Sequence, residues 1–484
     1  MEVSEKNKTL IRKPLLNDKS PLLCPFLGLV TAVVLSGVFP LMLIAEITNT
    51  FRSHAWTLTM IIMVCSGLRL SFLIGSGRPR LFEFIVWLFA YVFFGLAATV
   101  QFRSGNIAGT TPGLDPNLDF PSAVMVAVGL ASFYVGIKIY RPRKTRHLNG
   151  SFVFEINVTR ANILLLVGAG FAIYYISKIG FGNLFQSRES LNIILAQVWP
   201  NISTMATFKA AAIFPLLVAS QALIQAKHNQ NVSSKYTKSN RRKAVLAAIG
   251  VMSITNPIST ARYVFGSVWG GFLLSLGAYA NRIRTSLSML GIILGLLLVF
   301  PLADMFRYNK TLGVFRNSFF GEYAGNGDYD AIGQISNTLA YIHDKGITWG
   351  DQFVGVIFFW VPRIFWPDKA QDTGVLLAEY RGYGFTNLSA PLWSEALINF
   401  GLVGLVATFV LLGVLVAGLD VAGARALKDG GFILIPLAIL PFYLLIVLRG
   451  SLLQATGSFV VMILCILFVR GRSRPLNVAG KLTN

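Results

Sequence analysis

Hydrophobic and polar residues follow each other along the chain in long blocks, without the short-period alternation that is typical of a soluble domain. Apolar runs of about 20 residues recur, each long enough to cross a hydrocarbon core of about 30 Å. They predict about 12 transmembrane helices, over residues 22–47, 55–75, 81–101, 121–140, 159–179, 206–226, 244–257, 259–280, 285–303, 395–418, 431–448 and 451–469. The predicted fold class is an all-α polytopic membrane protein with one large structured outer loop.

These spans divide the chain into five regions. They are a basic N-terminal tail over 1–21, a bundle of about nine spans over 22–303, the outer loop over 304–394, three C-terminal spans over 395–469 and a basic tail over 470–484. The pair 244–257 and 259–280 is the least regular, because its first member is short and Asn256-Pro257 lies between the two. Two short spans and a re-entrant hairpin both fit this pair.

The outer loop has patterns of its own. Its segment Tyr329–His343 carries apolar residues at helical spacing, which predicts an amphipathic helix; they are Ile332, Ile335, Leu339 and Ile342. The segment Phe353–Trp366 is apolar and aromatic but too short to span, which favours an interfacial or re-entrant position. Residues 325–330 superficially resemble a calcium loop, but they lack its acidic twelfth position and predict a flexible turn.

Composition supports a membrane protein and explains the high charge. Of the 484 residues 54% are hydrophobic and 13% charged, with a mean hydropathy of +0.63, which leaves too little polar surface for a soluble globule. The net charge of +21 could suggest nucleic acid, but the basic residues lie between apolar runs, as the positive-inside rule expects. The segment Ser104–Phe120, assigned outside, has no Lys or Arg. We therefore predict no nucleic-acid partner and both termini in the cytoplasm.

Cysteine and histidine give no sign of a metal site. Cys24, Cys65 and Cys465 lie in or beside apolar runs, without the spacing of a disulfide framework or a zinc site. The four histidines are scattered and form no paired ligand motif. No metal and no cofactor is therefore predicted.

Three pieces of sequence around the end of the outer loop stand in a fixed order. They read VPRIFWPDK over Val361–Lys369, NLSAP over Asn387–Pro391 and EALINFG over Glu395–Gly401. With Phe185–Glu189, Asn256-Pro257, Arg262-Tyr263 and Leu448-Arg449-Gly450, they make the chain from Ala161 on resemble the Wzy-type oligosaccharide repeat-unit polymerases of bacteria. That family commonly has Pro after the lysine, where this chain has Ala370, a difference that affects turn rigidity more than chemistry.

The resemblance implies an integral membrane glycosyltransferase that needs no metal. It would polymerise polyprenyl-diphosphate-linked oligosaccharide repeat units into O-antigen, capsular polysaccharide or exopolysaccharide on the outer face of the bacterial cytoplasmic (inner) membrane. Donor and acceptor would both be lipid-linked. A chain-length regulator and a flippase are the further partners that the resemblance implies, besides the bilayer itself.

The chemistry of such a transfer selects candidate residues. A departing diphosphate needs positive charge, and the planar fork of arginine binds phosphate oxygens bidentately, which selects Arg262 and Arg363 as catalytic. Glu395 is the best carboxylate for a general base. The substrate-binding candidates are cations, amide or hydroxyl groups and sugar-stacking aromatic rings, namely Arg188, Lys369, Arg381, Asn387, Ser389, Trp366, Tyr380 and Arg449.

Each candidate also has a purely structural interpretation. Arg363 and Lys369 could anchor the loop to lipid phosphates. Arg262, which falls inside a predicted span, could form a buried ion pair with Glu395. The aromatic residues could form an interfacial belt.

Two other functions fit the same architecture. An O-antigen ligase would use the same donor with a different acceptor, and the acceptor is not readable from sequence. A secondary transporter or flippase would favour matched inverted halves, whereas the polar residues here gather in one loop.

Overall fold

The apolar runs form helices in the computed structural model of the chain, which describes residues 22–141, 152–226, 234–299, 319–386 and 388–475. The helices up to the outer loop are α1 (Leu23–Glu46), α2 (Ala55–Ser76), α3 (Leu81–Ser104), α4 (Asp119–Ile139), α5 (Val158–Ile179), α6 (Arg188–Val198), α7 (Ile202–Gln225), α8 (Ser234–Ile254), α9 (Arg262–Gly271) and α10 (Arg282–Val299). The later ones are α11 (Ala331–Lys345), α12 (Asp351–Ile357), α13 (Thr373–Arg381), α14 (Leu392–Asp429), α15 (Leu434–Arg449) and α16 (Leu452–Phe468). Short helical turns cover Pro116–Leu118, Gly182–Phe185, Glu322–Gly325 and Gly327–Tyr329.

Eight of the described helices are long and apolar enough to cross a membrane. They are α1, α2, α3, α4 with its preceding turn, α5, α7, α10 and α14. The apolar helices α15 and α16 are shorter, with 16 and 17 residues. Among the described residues, strand structure is confined to one two-stranded ribbon. The prediction of an all-α, multi-pass membrane protein is therefore confirmed at this level.

Helix α3 lies at the centre of the bundle. Its most apolar stretch is wholly buried, whereas only 28% of the corresponding stretches of α1, α5 and α14 is buried. The ring of Phe89 stacks on that of Phe93 at 4.7 Å, and Phe94 meets Trp393 edge-on at 4.7 Å. A helix that is apolar all round belongs inside other helices, which explains why this Phe-rich segment is enclosed.

The closest helix contact joins α4 and α14 through glycine. A Cβ on Gly136 would lie 2.1 Å from the carbonyl oxygen of Val410, and one on Gly413 would lie 2.2 Å from that of Phe133. Only hydrogen fits in these gaps, so the two backbones touch. Small residues at such positions let membrane helices gain dispersion contacts without a hydrophobic driving force.

The loops of the bundle lie on two faces. On one face, which we call the loop face, Arg52 pairs with Asp119 at 3.0 Å and the Phe320 N–H donates to Glu46. On the other, which we call the basic face, Arg282 donates to the carbonyl of Ser76. The basic face gathers most of the described cations between helices, namely Arg78, Arg80, Lys138, Arg141, Arg160, Arg241, Arg242, Lys243, Arg282, Arg284, Arg425, Lys428, Arg470 and Arg472.

The irregular pair around Asn256 differs from its predicted bounds. Helix α8 starts in the basic sequence before residue 244; Lys243 donates to Asn162 on the basic face, and Asn256 donates to the Leu184 carbonyl on the loop face. The segment predicted over 259–280 is not one helix, because α9 ends at Gly271 and turns follow. Two features accompany this irregularity: Gly270 lies against the ring of Phe442, which is distant in sequence, and Gly277 has φ +77°.

Helix α14 is longer than predicted and is kinked. At Gly401 the backbone has φ +62° and ψ −152°, which is not helical, and glycine adopts such a conformation without a Cβ clash. The part before the kink, Leu392–Asn399, is buried throughout, whereas Leu402 and Val403 beyond it are exposed. The first turns therefore belong to the protein interior at the loop face, and the lipid-facing span begins after Gly401.

A small β-ribbon on the basic face was not predicted. Strand β1 (Phe152–Ile156) pairs antiparallel with β2 (Arg470–Pro475), and the Arg470 guanidinium lies 3.7 Å from the Phe154 ring centroid. Part of the predicted C-terminal tail is thus strand. Residues 1–21 and 476–484, the rest of the two predicted tails, lie outside the described residues.

The outer segment 319–391 packs on the loop face. The amphipathic helix predicted over Tyr329–His343 is confirmed as α11. The apolar stretch after it contains the short helix α12 and then turns, and it leaves large apolar side chains exposed, namely Trp349, Phe353, Val354, Ile357, Phe358, Trp360, Ile364 and Phe365. These exposed side chains are what an interfacial position needs.

The contact between α4 and α14 predicts a stability difference between two glycines. Gly136→Ala should lower the thermal unfolding temperature by several degrees, because its methyl group meets a backbone oxygen that cannot move alone. Gly170→Ala in α5 is the matched control, since nothing lies within 4 Å of its Cβ position. The measurement is thermal unfolding in detergent; equal unfolding temperatures for the two variants would contradict the close contact.

Candidate functional site

Two arginines and two aspartates form a buried ionic network where the outer segment meets the bundle. Arg262 forms an ion pair with Asp328. Arg449 lies 3.6 Å from Asp328 and 3.4 Å from Asp330, and its Nε donates to the backbone carbonyl of Asp328 at 3.2 Å. The side chains are 2 to 17% exposed. Charges this deeply buried are stable only when they are paired and hydrogen-bonded.

Local structure explains why these side chains meet. Arg262 is the first residue of α9, after a turn in which the Asn256 side chain accepts from the N–H groups of Ile258 and Ser259. Arg449 is the last residue of α15. Asp328 is held by Asn326, whose side-chain oxygen accepts from its N–H at 2.9 Å. Two helix ends and one capped turn therefore converge on the loop face.

Asp330 is the most completely enclosed carboxylate of the network. It accepts from the Ser389 hydroxyl at 2.7 Å, from the Gln334 amide at 3.1 Å and from the Thr110 hydroxyl at 3.3 Å. Ser389, a predicted substrate-binding residue, is thus engaged with the protein. In the segment 325–330, predicted as a flexible turn, Asp328 to Asp330 are buried, and the two carboxylates pair with the arginines.

Arg449 keeps one terminal nitrogen that donates to none of the described residues. Its guanidinium lies 4.5 Å from the ring centroid of Tyr263, and its Nε and one terminal nitrogen, Nη2, contact the two aspartates. Within the part of the chain that the structure describes, its other terminal nitrogen, Nη1, donates no hydrogen bond. A fixed guanidinium with a spare N–H edge is suited to binding a phosphate oxygen.

Glu395 does not belong to this network, and the ion pair considered between it and Arg262 is wrong. Its two oxygens accept from the Thr373 hydroxyl at 2.9 Å and from the Leu452 N–H at 2.9 Å. Among the described residues it forms no ion pair, while Arg262 is paired with Asp328. Glu395 therefore joins α13, α14 and the start of α16, and it fixes the turn that follows Arg449.

Arg363 and Lys369 shape the turn after α12. Arg363 donates to the carbonyls of Lys369 at 2.6 Å and Ala370 at 3.2 Å, and the Lys369 ammonium donates to those of Phe359 at 2.7 Å and Val361 at 3.1 Å. Burial, and then the charge of Arg363, lower the pKa of Lys369. Both side chains thus donate hydrogen bonds to backbone carbonyls of an irregular loop, where no regular secondary structure pairs these carbonyls.

The remaining predicted residues are dispersed over the loop face. Arg381 donates to the Gly113 carbonyl, and the Tyr380 hydroxyl donates to Asp344 at 2.5 Å. Trp366 is half-buried, with its ring 6.5 Å from that of Phe358. Arg188 opens α6 on another part of the loop face. Asn387 lies outside the described residues.

Sequence reasoning missed the acidic half of the site. Asp328 and Asp330 stand in a short polar turn whose composition predicts flexibility. The available signal was the cost of a buried arginine, which requires a nearby carboxylate. Among the carboxylates of the outer loop, those next to the predicted amphipathic helix were the best candidates for this pairing. The structure brings Arg262, Arg449 and Ser389 together and leaves Arg188, Arg363, Lys369, Arg381 and Glu395 outside their network.

Comparison with known proteins adds no assignment. No protein-family model, no curated protein and no solved structure matches the chain. Among the described residues, no three His, Cys, Asp or Glu side chains are grouped so as to hold a metal ion. What the site can do chemically must be judged from its own geometry.

Asp372, next to the Glu395 contacts, predicts a pH-dependent stability. Its side chain caps α13 by accepting from Gly374 N–H at 2.9 Å, and burial raises its pKa above the ordinary 3.8 despite these backbone hydrogen bonds. The folded state then holds a proton that the unfolded chain has lost, so the contribution of Asp372 to stability falls as pH rises from about 3.8 through its raised folded pKa.

Asp372→Asn should keep the cap and remove this dependence. The unfolding temperature of the variant minus that of the wild type should therefore increase between pH 4 and pH 8 in buffered detergent. Asp368→Asn, at an exposed position, is the control and should show a constant difference. A difference that does not change with pH for Asp372→Asn would contradict the raised pKa.

Proposed function

We propose that the chain is an integral membrane glycosyltransferase that polymerises polyprenyl-diphosphate-linked oligosaccharide repeat units. The observation that carries the proposal is Arg449, a guanidinium fixed by two aspartates at the loop face, with an N–H edge that no described residue accepts from. The similarity of the segments around Arg262, Arg363 and Arg449 to the Wzy-type polymerases supports the same function. The product would be an O-antigen, a capsular polysaccharide or an exopolysaccharide.

The proposed orientation follows from charge. The basic face would lie in the cytoplasm of a bacterium and the loop face on the outer side of the cytoplasmic membrane, since Lys and Arg stay on the cytoplasmic side. With α8, α9 and its following turns, α15 and α16 added to the eight long apolar helices, the proposal has about 12 crossings and both termini in the cytoplasm.

The proposed reaction moves the growing glycan from its carrier onto the next lipid-linked unit. The bond between the anomeric carbon and the diphosphate oxygen breaks, and its electron pair leaves with the diphosphate. The acceptor hydroxyl oxygen bonds to that carbon. Because the carboxylates of the network are engaged with arginines and donors, we assign the hydroxyl proton to the departing diphosphate.

Arg262 and Arg449 would stabilise the charge that grows on the leaving diphosphate. Arginine remains charged at a membrane boundary, and its fork can hold an aspartate on one edge and a phosphate on the other. The attraction between these fixed charges and the diphosphate strengthens as the bond breaks. The guanidinium groups are already in position, so no reorganisation is needed at that moment. Asp328 and Asp330 would keep the two guanidinium groups in place.

The other predicted residues take supporting roles in the proposal. Arg363 and Lys369 would hold the loop after α12 at headgroup level, and the exposed side chains of Trp360, Ile364 and Phe365 would touch the lipid surface. Glu395, chosen from the sequence as the general base, is here a positioning residue for the turn between Arg449 and Leu452. A flippase would supply the substrate, and a chain-length regulator would end the polymer.

The first test is polymerisation by the purified protein in liposomes, given lipid-linked repeat units alone, with products resolved as a ladder. Arg449→Lys should lower the rate by about 100-fold, the cost of losing one transition-state donor, because lysine lacks the fork. Arg103→Lys is the control, since that loop-face arginine, within the described residues, donates to the carbonyls of Ile44 and Ile47 and lies outside the Arg449 network.

A ladder whose rate is unchanged in Arg449→Lys would remove the arginine from the mechanism. No ladder from folded wild-type protein would contradict the polymerase; transfer onto an added lipid A-core acceptor would then identify a ligase. Movement of the lipid-linked unit across the liposome without transfer would identify a transporter.

The same assay separates the two roles of Glu395. As a positioning residue, Glu395→Gln should keep most of the rate, because its amide oxygen can accept from Leu452 N–H, whereas Glu395→Ala should lose it. A general base would behave differently, since Glu395→Gln would then lose about 100- to 10,000-fold. The measurement is the initial rate of chain growth at saturating substrate.

A further inference from the structure

A cavity of about 460 Å³ lies at the basic-face end of α4. It is lined by Tyr134, Val135, Lys138, Ile139 and Arg141, and we call it the basic cavity. Its volume falls within the range of about 300–1,000 Å³ that is usual for the binding sites of small molecules. Among the described residues that line it, two are cations and none is a carboxylate. This chemistry favours an anion that also carries apolar groups.

The periodicity of α4 explains why these side chains share one side of the helix. Tyr134 and Lys138 are four residues apart, as are Val135 and Ile139, so the members of each pair lie one above the other. The side of α4 that packs on α14 contains Gly136 instead. The four lining side chains of α4 are exposed, and a ligand can reach them from the bilayer.

The Tyr134 ring connects the basic cavity to the interior of the bundle. The Lys138 ammonium lies 5.2 Å from the centroid of this ring, and the guanidinium of Arg69 in α2 lies 5.4 Å from it. Arg69 donates to Glu83 at 2.7 Å, so its charge is balanced within the protein. The ring is thus held by a largely buried ion pair, while the charge of Lys138 lies at the cavity.

The depth of the basic cavity matches that of a phospholipid headgroup. Lys138 stands in the last turn of α4, which ends at Ile139, so the cations lie at the end of a membrane span. Tyr134 and Val135 lie one turn further into the span. Headgroup phosphates lie at the ends of spans, and acyl chains lie along their apolar residues. Basic pockets on the cytoplasmic side, where the basic face is proposed to lie, bind anionic headgroups.

We propose that the basic cavity binds one anionic glycerophospholipid. Lys138 and Arg141 hold its phosphate by charge-assisted hydrogen bonds, and the side chains of Tyr134, Val135 and Ile139 contact the first part of an acyl chain. The net negative charge of such a lipid complements the two cations, whereas a zwitterionic lipid brings a positive group that they repel. This site lies at the face opposite to the candidate functional site and does not depend on the proposed transfer reaction.

Lys428 provides a matched comparison for Lys138. Each stands in the last turn of a membrane helix, is exposed and belongs to the basic face, but Lys428 does not line the cavity. A lysine that only reaches to the membrane surface, or only complements the C-terminal end of a helix, behaves alike at both positions. A lipid site makes the two positions different.

The test is lipid binding by the purified full-length protein in detergent, with bound molecules counted by native mass spectrometry during titration. The probes are phosphatidylglycerol, the zwitterionic phosphatidylcholine and glycerophosphate, which carries the phosphate without acyl chains. One equivalent of phosphatidylglycerol should bind more tightly than either of the other two. Lys138→Met and Arg141→Gln should each weaken this equivalent by about fivefold or more, Lys138→Arg should retain it, and Lys428→Met should bind as the wild type does.

Weaker binding in Lys138→Met beside unchanged binding in Lys428→Met supports the proposal. Equal binding of phosphatidylcholine would overturn it, because the charge would then not be recognised, and equally tight binding of glycerophosphate would overturn the lipid as the occupant. Unchanged binding in Lys138→Met, or an equal loss in Lys428→Met, would also overturn it. Thermal unfolding checks that each variant is folded, and Arg141→Gln alone decides should Lys138→Met not fold. Because binding is measured without turnover, a failure of polymerisation leaves this result unchanged.

Discussion

The pairing of Arg262 and Arg449 with Asp328 and Asp330 constrains the outer half of the molecule. Arg262 begins α9 and Arg449 ends α15 at the loop face, and both carboxylates come from the outer segment. Removing one partner from a buried pair leaves an uncompensated charge, at a cost of about 3–5 kcal/mol. The outer segment 319–391 therefore cannot lift from the bundle without exposing or isolating charges, and its helices are held at the loop face.

A second set of contacts joins the same segment to the centre of the bundle. Gln101, near the end of α3, donates to the carbonyls of Tyr323 at 3.1 Å and Tyr329 at 3.0 Å. Tyr329 directly follows Asp328, so the central helix and the ionic network hold one turn from two sides. Glu395 acts similarly on the turn after Arg449. The candidate site thus rests on helix ends and capped turns, which position side chains more precisely than free loops do.

The sequence was informative where a single physical rule dominates. Hydropathy alone located the eight long apolar helices, because backbone groups in lipid must be satisfied within a helix, and the spacing of Ile332 and Ile335 located α11. It was uninformative where structure depends on contacts between distant residues. Near the end of α9, Gly270 lies against the distant Phe442, the β-ribbon pairs segments far apart in the chain, and the arginines find aspartates in a turn that has no distinctive pattern. Charge pairing requires three-dimensional proximity, which a one-dimensional pattern does not contain.

The complete enclosure of α3 has a consequence for how the protein is made. Membrane helices insert first and associate afterwards, so α3 enters the bilayer with its phenylalanines facing acyl chains and with Gln101 lacking its later partners. The side chain of Trp393 and the turn around Tyr329 that cover it are synthesised much later. A partly synthesised chain therefore carries, near the loop-face end of α3, an amide that still lacks the carbonyl partners it has in the folded protein.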